Sequence, residues 1–287
     1  MKLGVSSYSF LSAIQSGEMT IFDVMDWIKE HGGEHIEIVP IGFTLDDNEE
    51  FAGAIRNKAS SLGIDISNYA IGANFIDKNK EEYQAEIERV KKQVDIAHAL
   101  GVKKMRHDVA SRNPKEATIT QFQKDLPAIV TACKEIADYA SQYNITTSIE
   151  NHGFHVQHAD RVHQIVDLVD KENFKTTLDI GNFLCVDEDP LSSVKRNISI
   201  ASMVHFKDFY VRPHDRNPGS GWFQSAAGNY LRGAIVGQGD IHIPHVMKEV
   251  KESGYDGYLS LEFEGMEDCR TGVKIGLENI KRIWDEL

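Results

Sequence analysis

The sequence contains no apolar run approaching the eighteen or so residues needed to span a membrane. Its opening, MKLGVSSYSF, lacks the long apolar stretch and small-residue cleavage site of a secretory signal and reads instead as a first strand. Cysteine is scarce: Cys133, Cys185 and Cys269 are scattered, odd in number and without metal-binding spacing. Such usage is expected of a reduced, cytoplasmic protein rather than a disulfide scaffold. Positive charge is also short. Lysine and arginine number 31 against 44 acidic residues, a formal charge of -13, which argues against a phosphate backbone as the main partner. Neither nucleic acid nor membrane is expected as a partner, and a homo-oligomer is left open. There is no low-complexity segment or interdomain linker, so residues 1–287 are expected to form one domain, long enough to bury a large core.

What the chain does have is a repeated pattern, an amphipathic helix followed by a short apolar strand. Tyr83, Ile87, Val90, Val94 and Ala97 recur at spacings of four and three, which predicts a helix over 80–99 with one apolar stripe. Gly101 then ends it, and VKKMR begins a strand. Gly63 and Gly254 play the same part elsewhere. Eight strands are predicted: KLGVSS, EHIEIV, IDISNY, VKKMRH, ITTSIE, KTTLDI, SMVHF and YLSLEF. Alternating strands and helices imply a parallel sheet covered by helices. Eight such units in a chain of this size imply an α/β fold closed as a (β/α)8 TIM barrel. An open doubly wound sheet competes, but no Gly-x-Gly-x-x-Gly follows the first strand. The sixth helix, near Pro190 to Arg196, is expected to be short, and Pro127 to interrupt or start the fourth. A long irregular stretch at about 210–239 holds Trp222, Phe223 and Tyr230, and is expected to be an ordered cover over the C-terminal mouth, with disorder as the alternative.

In a barrel, the C-terminal strand ends share one mouth. Glu150 ends ITTSIE, Asp179 ends KTTLDI, His205 ends SMVHF and Glu262 lies near the end of YLSLEF. Side-chain alternation turns each of these polar residues away from its apolar neighbours and toward the interior. A single polar strand end is better read as ordinary surface. Four in succession are not, because converging buried carboxylates demand a cation. Three carboxylates and an imidazole suit Mn²⁺ first, with Mg²⁺, Co²⁺ and Zn²⁺ as alternatives.

The motifs SIENHG (148–153), TLDIGN (177–182), HFKD (205–208), GQGDI (237–241) and SLEFEG (260–265) resemble, in matching order, those of the sugar phosphate isomerase/epimerase family, the xylose-isomerase-like barrels. The resemblance implies one metal ion held by Glu150, Asp179, His205 and Glu262. It also implies Glu150 and Glu262 as the acid/base pair of an isomerase or epimerase that acts on a ketose or keto-polyol through an enediolate. A lyase acting on a keto-sugar or inosose is the alternative. A DNA-repair endonuclease of the same superfamily and a non-catalytic sugar-binding barrel rank below it. One departure stands out: related epimerases commonly carry histidine where this chain has Asn182, which can bind a sugar hydroxyl but cannot shuttle protons. Among other candidate substrate contacts, Lys207 could bind an oxyanion or pair with Asp208 or Glu150. Glu37 could bind a sugar hydroxyl or a nearby histidine. At the end of the fourth strand the alternation is ambiguous between Arg106 and His107. Trp222 could stack on a sugar ring or pack within its own loop. His152, His155 and His158 are expected to be solvated or structural. With no Gly-rich phosphate cradle evident, a free sugar or polyol derivative is the expected substrate.

Overall fold

The structure, a computed structural model, describes residues 2–287. Its strands are β1 (Lys2–Ser6), β2 (His35–Ile38), β3 (Asp65–Ile71), β4 (Lys104–His107), β5 (Thr146–Glu150), β6 (Phe174–Asp179), β7 (Ala201–Phe206), β8 (Asp208–Arg212), β9 (Phe223–Gln224), β10 (Tyr230–Ala234) and β11 (Tyr258–Leu261). The longer helices are α1 (Leu11–Gln15), α2 (Ile21–Glu30), α3 (Glu49–Leu62), α4 (Lys80–Leu100), α5 (Ile119–Ser141), α6 (Ala159–Val169), α7 (Pro190–Asn197), α8 (Ile243–Glu252) and α9 (Cys269–Glu286). Strands β1 to β7 and β11 pair in parallel and close on themselves, β11 lying between β7 and β1. All eight strands predicted from the sequence are present in a (β/α)8 barrel.

Local chemistry sets the helix ends. Asn79 and Glu82 form a reciprocal capping box at the start of α4, and Gly101, at φ +78°, ends it in the left-handed conformation. Helix α7 is as short as expected, with Asp189 capping Ser192 N–H and Pro190 in the first turn. Helix α5 differs: it runs through Pro127 without a break. Both Pro127 and Gln123, whose carbonyl loses its helical partner, are exposed, so water can hydrate the freed oxygen.

The outward faces of the strands carry Val5, Ile36, Ile38, Met105, Ile149, Leu178, Val204 and Leu261, all fully buried beneath the helices. The barrel interior is polar instead. Ser148 and Thr177 pair their hydroxyls at 2.9 Å, and Nε2 of His35 donates to the Leu259 carbonyl at 2.9 Å. Gly4 makes room for that histidine, since a Cβ there would lie 2.1 Å from the His35 carbonyl oxygen and 2.5 Å from its ring.

The segment at 210–239 is irregular over most of its length, as expected, and also carries a small antiparallel sheet in the order β8-β10-β9. Asp208 closes it at the base: its carboxylate accepts from the backbone N–H of Phe209, Gly237, Gly239 and Ile241 at 2.9–3.2 Å. The guanidinium groups of Arg212 and Arg232 lie 5.5 and 5.6 Å from the Trp222 ring centroid. No residue of 210–239 lines the cavity at the barrel mouth, so the expected cover and the expected sugar-stacking role of Trp222 are both corrected. The wall comes instead from residues 39–46 of the β2–α3 loop, which Gln93 holds through Asp46 at 2.5 Å.

Burial holds the imidazoles of His35 and His107 down at about 4, against about 6.5 for a free histidine. Both are neutral in the fold, whereas the unfolded chain takes up protons below about pH 6.5. Their contribution to stability is therefore complete above that pH and is lost as pH falls toward 4. Each should add a slope of roughly 1.4 kcal/mol per pH unit. Denaturant unfolding between pH 7 and 4.5 should show this loss, and His107→Phe should remove about half of it.

Candidate metal centre

Glu150 and Asp179 are the last residues of β5 and β6, His205 is next to last in β7, and Glu262 directly follows β11. Each offers a ligand atom, and these atoms all lie within 4.8 Å of one another, with all four residues buried. The turn after β6 fixes Asp179: its Oδ1 accepts from the N–H groups of Gly181 and Asn182 at 2.8 and 2.9 Å. Asn151 brackets its backbone, donating to the Asp179 carbonyl and accepting from its N–H at 2.8 and 2.9 Å. This leaves Oδ2 of Asp179 buried without a hydrogen-bond partner, and both ring nitrogens of His205 share that condition. Three such atoms within a set of three carboxylates and one imidazole fit a hard divalent cation.

The remaining charge comes from two basic side chains. Nζ of Lys207 lies 2.8 Å from Glu262, 3.3 Å from Asp179 and 3.3 Å from Glu264. Arg106 lies 2.7 Å from Oε2 of Glu150 and 3.1 Å from Asp108. The other Glu150 oxygen accepts from Asn182 Nδ2 at 2.9 Å. Burial opposes ionisation throughout, and the outcome depends on distance to the cations. Burial dominates at Asp179, which is pushed up to about 6 despite Lys207. At Glu262 burial is outweighed by the nearer Lys207 ammonium and by His205, which hold it at about 2. Lys207 in turn is driven well above its usual range, the carboxylates overcoming its own burial.

The structure brings most of the predicted side chains together. Asn182 and Lys207 join the cluster, although Lys207 pairs with Asp179, Glu262 and Glu264 rather than with Asp208 or Glu150. Glu37 lines the cavity and also lies 2.7 Å from Nε2 of His205. His107 is the exception and is corrected: it points outward, packs edge-on against Phe75 and donates Nδ1–H to the Asp108 carbonyl. Arg106 takes the interior place. The alternation of KMRH could have shown this, because Met105 is the apolar outward residue and its neighbours Lys104 and Arg106 share the opposite face. His155 and His158 are structural, beside Asp125 at 2.9 Å and Glu188 at 3.0 Å. His152 instead lines the cavity, 3.4 Å from Asp108. Tyr8 and Glu264 also line it, and Tyr8 sits in a 3-10 turn with no periodicity to reveal it.

Lys207→Met should expose how strongly this charge balance is enforced. Without a cation the variant should lose roughly 3–5 kcal/mol of stability, since two buried carboxylates lose their nearest positive partner. Added Mn²⁺ should recover much of that loss and raise the melting temperature of the variant more than that of the wild type.

A family profile described as xylose isomerase-like TIM barrel matches residues 25–283. Over 286 residues the chain is 24% identical to an uncharacterized protein of Methanocaldococcus jannaschii, covering 96% of this chain and 88% of that one. Among solved structures, the probable 3-DHS dehydratase AsbF of Bacillus anthracis superposes with a TM-score of 0.76 at 17% identity, covering 98% of this chain and 99% of that one. A D-tagatose 3-epimerase-like protein superposes with a TM-score of 0.71 at 21% identity, covering 100% and 99%. At such identities the superpositions establish a shared fold. Together with the profile match, they place this chain in the xylose isomerase-like TIM barrel family.

Proposed function

We propose that the chain is a divalent-metal-dependent sugar isomerase or epimerase, working in the cytoplasm on a ketose or keto-polyol through an enediolate. The observation that carries this reading is the arrangement of Glu150 and Glu262. They flank Asp179 and His205 on four consecutive barrel strands, and both line a cavity of about 400 Å³. Glu150, Asp179, His205 and Glu262 would hold the ion, with Mn²⁺ the best match and Mg²⁺, Co²⁺ or Zn²⁺ also suited. When bound, such an ion supplies Lewis-acid polarisation of a carbonyl and its neighbouring hydroxyl oxygen.

The polypeptide moves the protons. One of the two glutamates takes a proton from the carbon beside the carbonyl. The other returns one, to the opposite face for epimerisation or to the adjacent carbon for isomerisation. Asn182 positions rather than shuttles, its amide donating to Glu150 and its oxygen facing Lys207 at 3.3 Å. The Lys207 ammonium can also donate to the oxyanion that develops on the substrate. Six carboxylates line the cavity (Glu37, Asp46, Asp108, Glu150, Glu262 and Glu264) against three basic side chains (Arg89, Arg106 and Lys207). Even with a divalent cation added, the walls stay acidic. That balance supports a neutral, unphosphorylated substrate and disfavours a phosphodiester.

A lyase is the second reading. The likeness to a probable dehydratase favours it, as does His152 on the cavity wall, backed by Asp108 and able to protonate a departing hydroxyl group. The two readings share the first proton transfer and differ in product.

Incubating Mn²⁺-loaded protein in D₂O with a panel of ketoses and keto-inositols should place deuterium beside the carbonyl of a substrate. Glu150→Gln and Glu262→Gln should each slow that exchange by roughly 100-fold or more. Loss of water from the substrate would assign the lyase, and no exchange with any substrate would leave only a sugar-binding barrel. Phosphorylated analogues should exchange more slowly than the free sugars.

A further inference from the structure

We infer that Glu37 is a positioning residue for the metal centre, fixing His205 so that Nδ1, and not Nε2, faces the three carboxylates. The inference rests on the cation site proposed above. Glu37 and His205 are both buried, at 0% and 1% exposure, so their contact is made without water. Oε2 of Glu37 lies 2.7 Å from Nε2 of His205, and its Oε1 accepts from Nδ2 of Asn68 at 2.8 Å. The glutamate is thus held from β3 and reaches β7.

Those strands are not neighbours, since β1 and β11 separate β2 from β7. The residues along that path explain how the contact is made. Ser6 pairs in register with Glu37, Gly4 with Ser260, and Ser260 with His205. With only a hydrogen or a hydroxymethyl group at each of these positions, the interior stays open enough for Glu37 to cross it. A carboxylate can only accept, so Nε2 must carry a proton, and Nδ1 is the nitrogen that remains to face a cation. Nδ1 lies 4.0 Å from Oδ2 of Asp179 and 3.9 Å from Oε2 of Glu262, on the side of the ring away from Glu37. A carboxylate on the far nitrogen of a ligand histidine fixes its tautomer and ring orientation, and losing such a partner typically weakens metal affinity 10–100-fold.

Calorimetric titration of the metal-free protein with Mn²⁺ and with Zn²⁺ tests this directly. Glu37→Ala should bind each ion 10–100-fold more weakly than wild type. Glu37→Gln should recover much of the affinity, because its amide oxygen can still accept from Nε2–H. Long-range ¹⁵N–¹H spectra of the zinc-loaded wild type should show His205 protonated at Nε2, a signature that does not depend on any variant folding. Unchanged affinity in Glu37→Ala, or a proton on Nδ1 of zinc-loaded His205, would overturn the role of Glu37 while leaving the metal centre intact. Failure of the wild type to bind either ion would overturn the metal centre and this inference with it.

Discussion

The structure depends on compensation of negative charge in a confined space. Glu150, Asp179 and Glu262 are brought to one rim by the closure of the barrel, and none of them is free to turn into bulk water. Their mutual repulsion is countered by Lys207, Arg106 and His205, each buried and each within 4.0 Å of at least one of the three. Buried charges of one sign are tolerated only where the opposite sign sits close by. The polar interior below the rim follows from the same demand, since a barrel packed with aliphatic layers would leave no room for Glu37 to cross from β2 to His205.

The two sides of the strands therefore do separate work. The outward side is aliphatic, binds the helices and stabilises the fold by removing apolar area from water. The inward side contributes less to packing and more to placing charge. This separation explains why a substitution such as Gly4 to a larger residue would disturb the site from several residues away. The room beside Gly4 is occupied by His35, two residues before Glu37 on the same interior face.

Much of this was legible in the sequence because it is written in short periods. Alternation of two along ITTSIE and YLSLEF points Glu150 and Glu262 inward, and a period near 3.6 along 80–99 marks helix α4. Four charged strand ends in succession specify a shared rim without any coordinates. What stayed hidden was set by contacts between distant segments. Arg106 and His107 are adjacent and both polar, so their places are legible only when the alternation is counted from Met105, which puts His107 outward against Phe75. The run from 210 to 239 has many turn-forming residues, yet its small sheet arises from pairing of β8 with β10 across a long excursion. Its aromatic residues suggested a sugar platform, but Trp222 is already occupied by two arginines of its own sheet. The β2–α3 loop, which does wall the cavity, shows no periodic signal at all.

Asp208 gives the architecture a seam. The chain leaves the barrel at this residue and comes back to it about thirty positions later, and a single carboxylate grips both the departing strand and the returning backbone. Between those two points the excursion is tied down again beside the rim: Ser225, Ala227 and Asn229 hydrogen-bond to Asp187, and Gly233 bridges to Gly265. A change in its length would therefore be felt in the two segments that follow Asn182 and Glu262, so decoration and chemistry are coupled in this barrel.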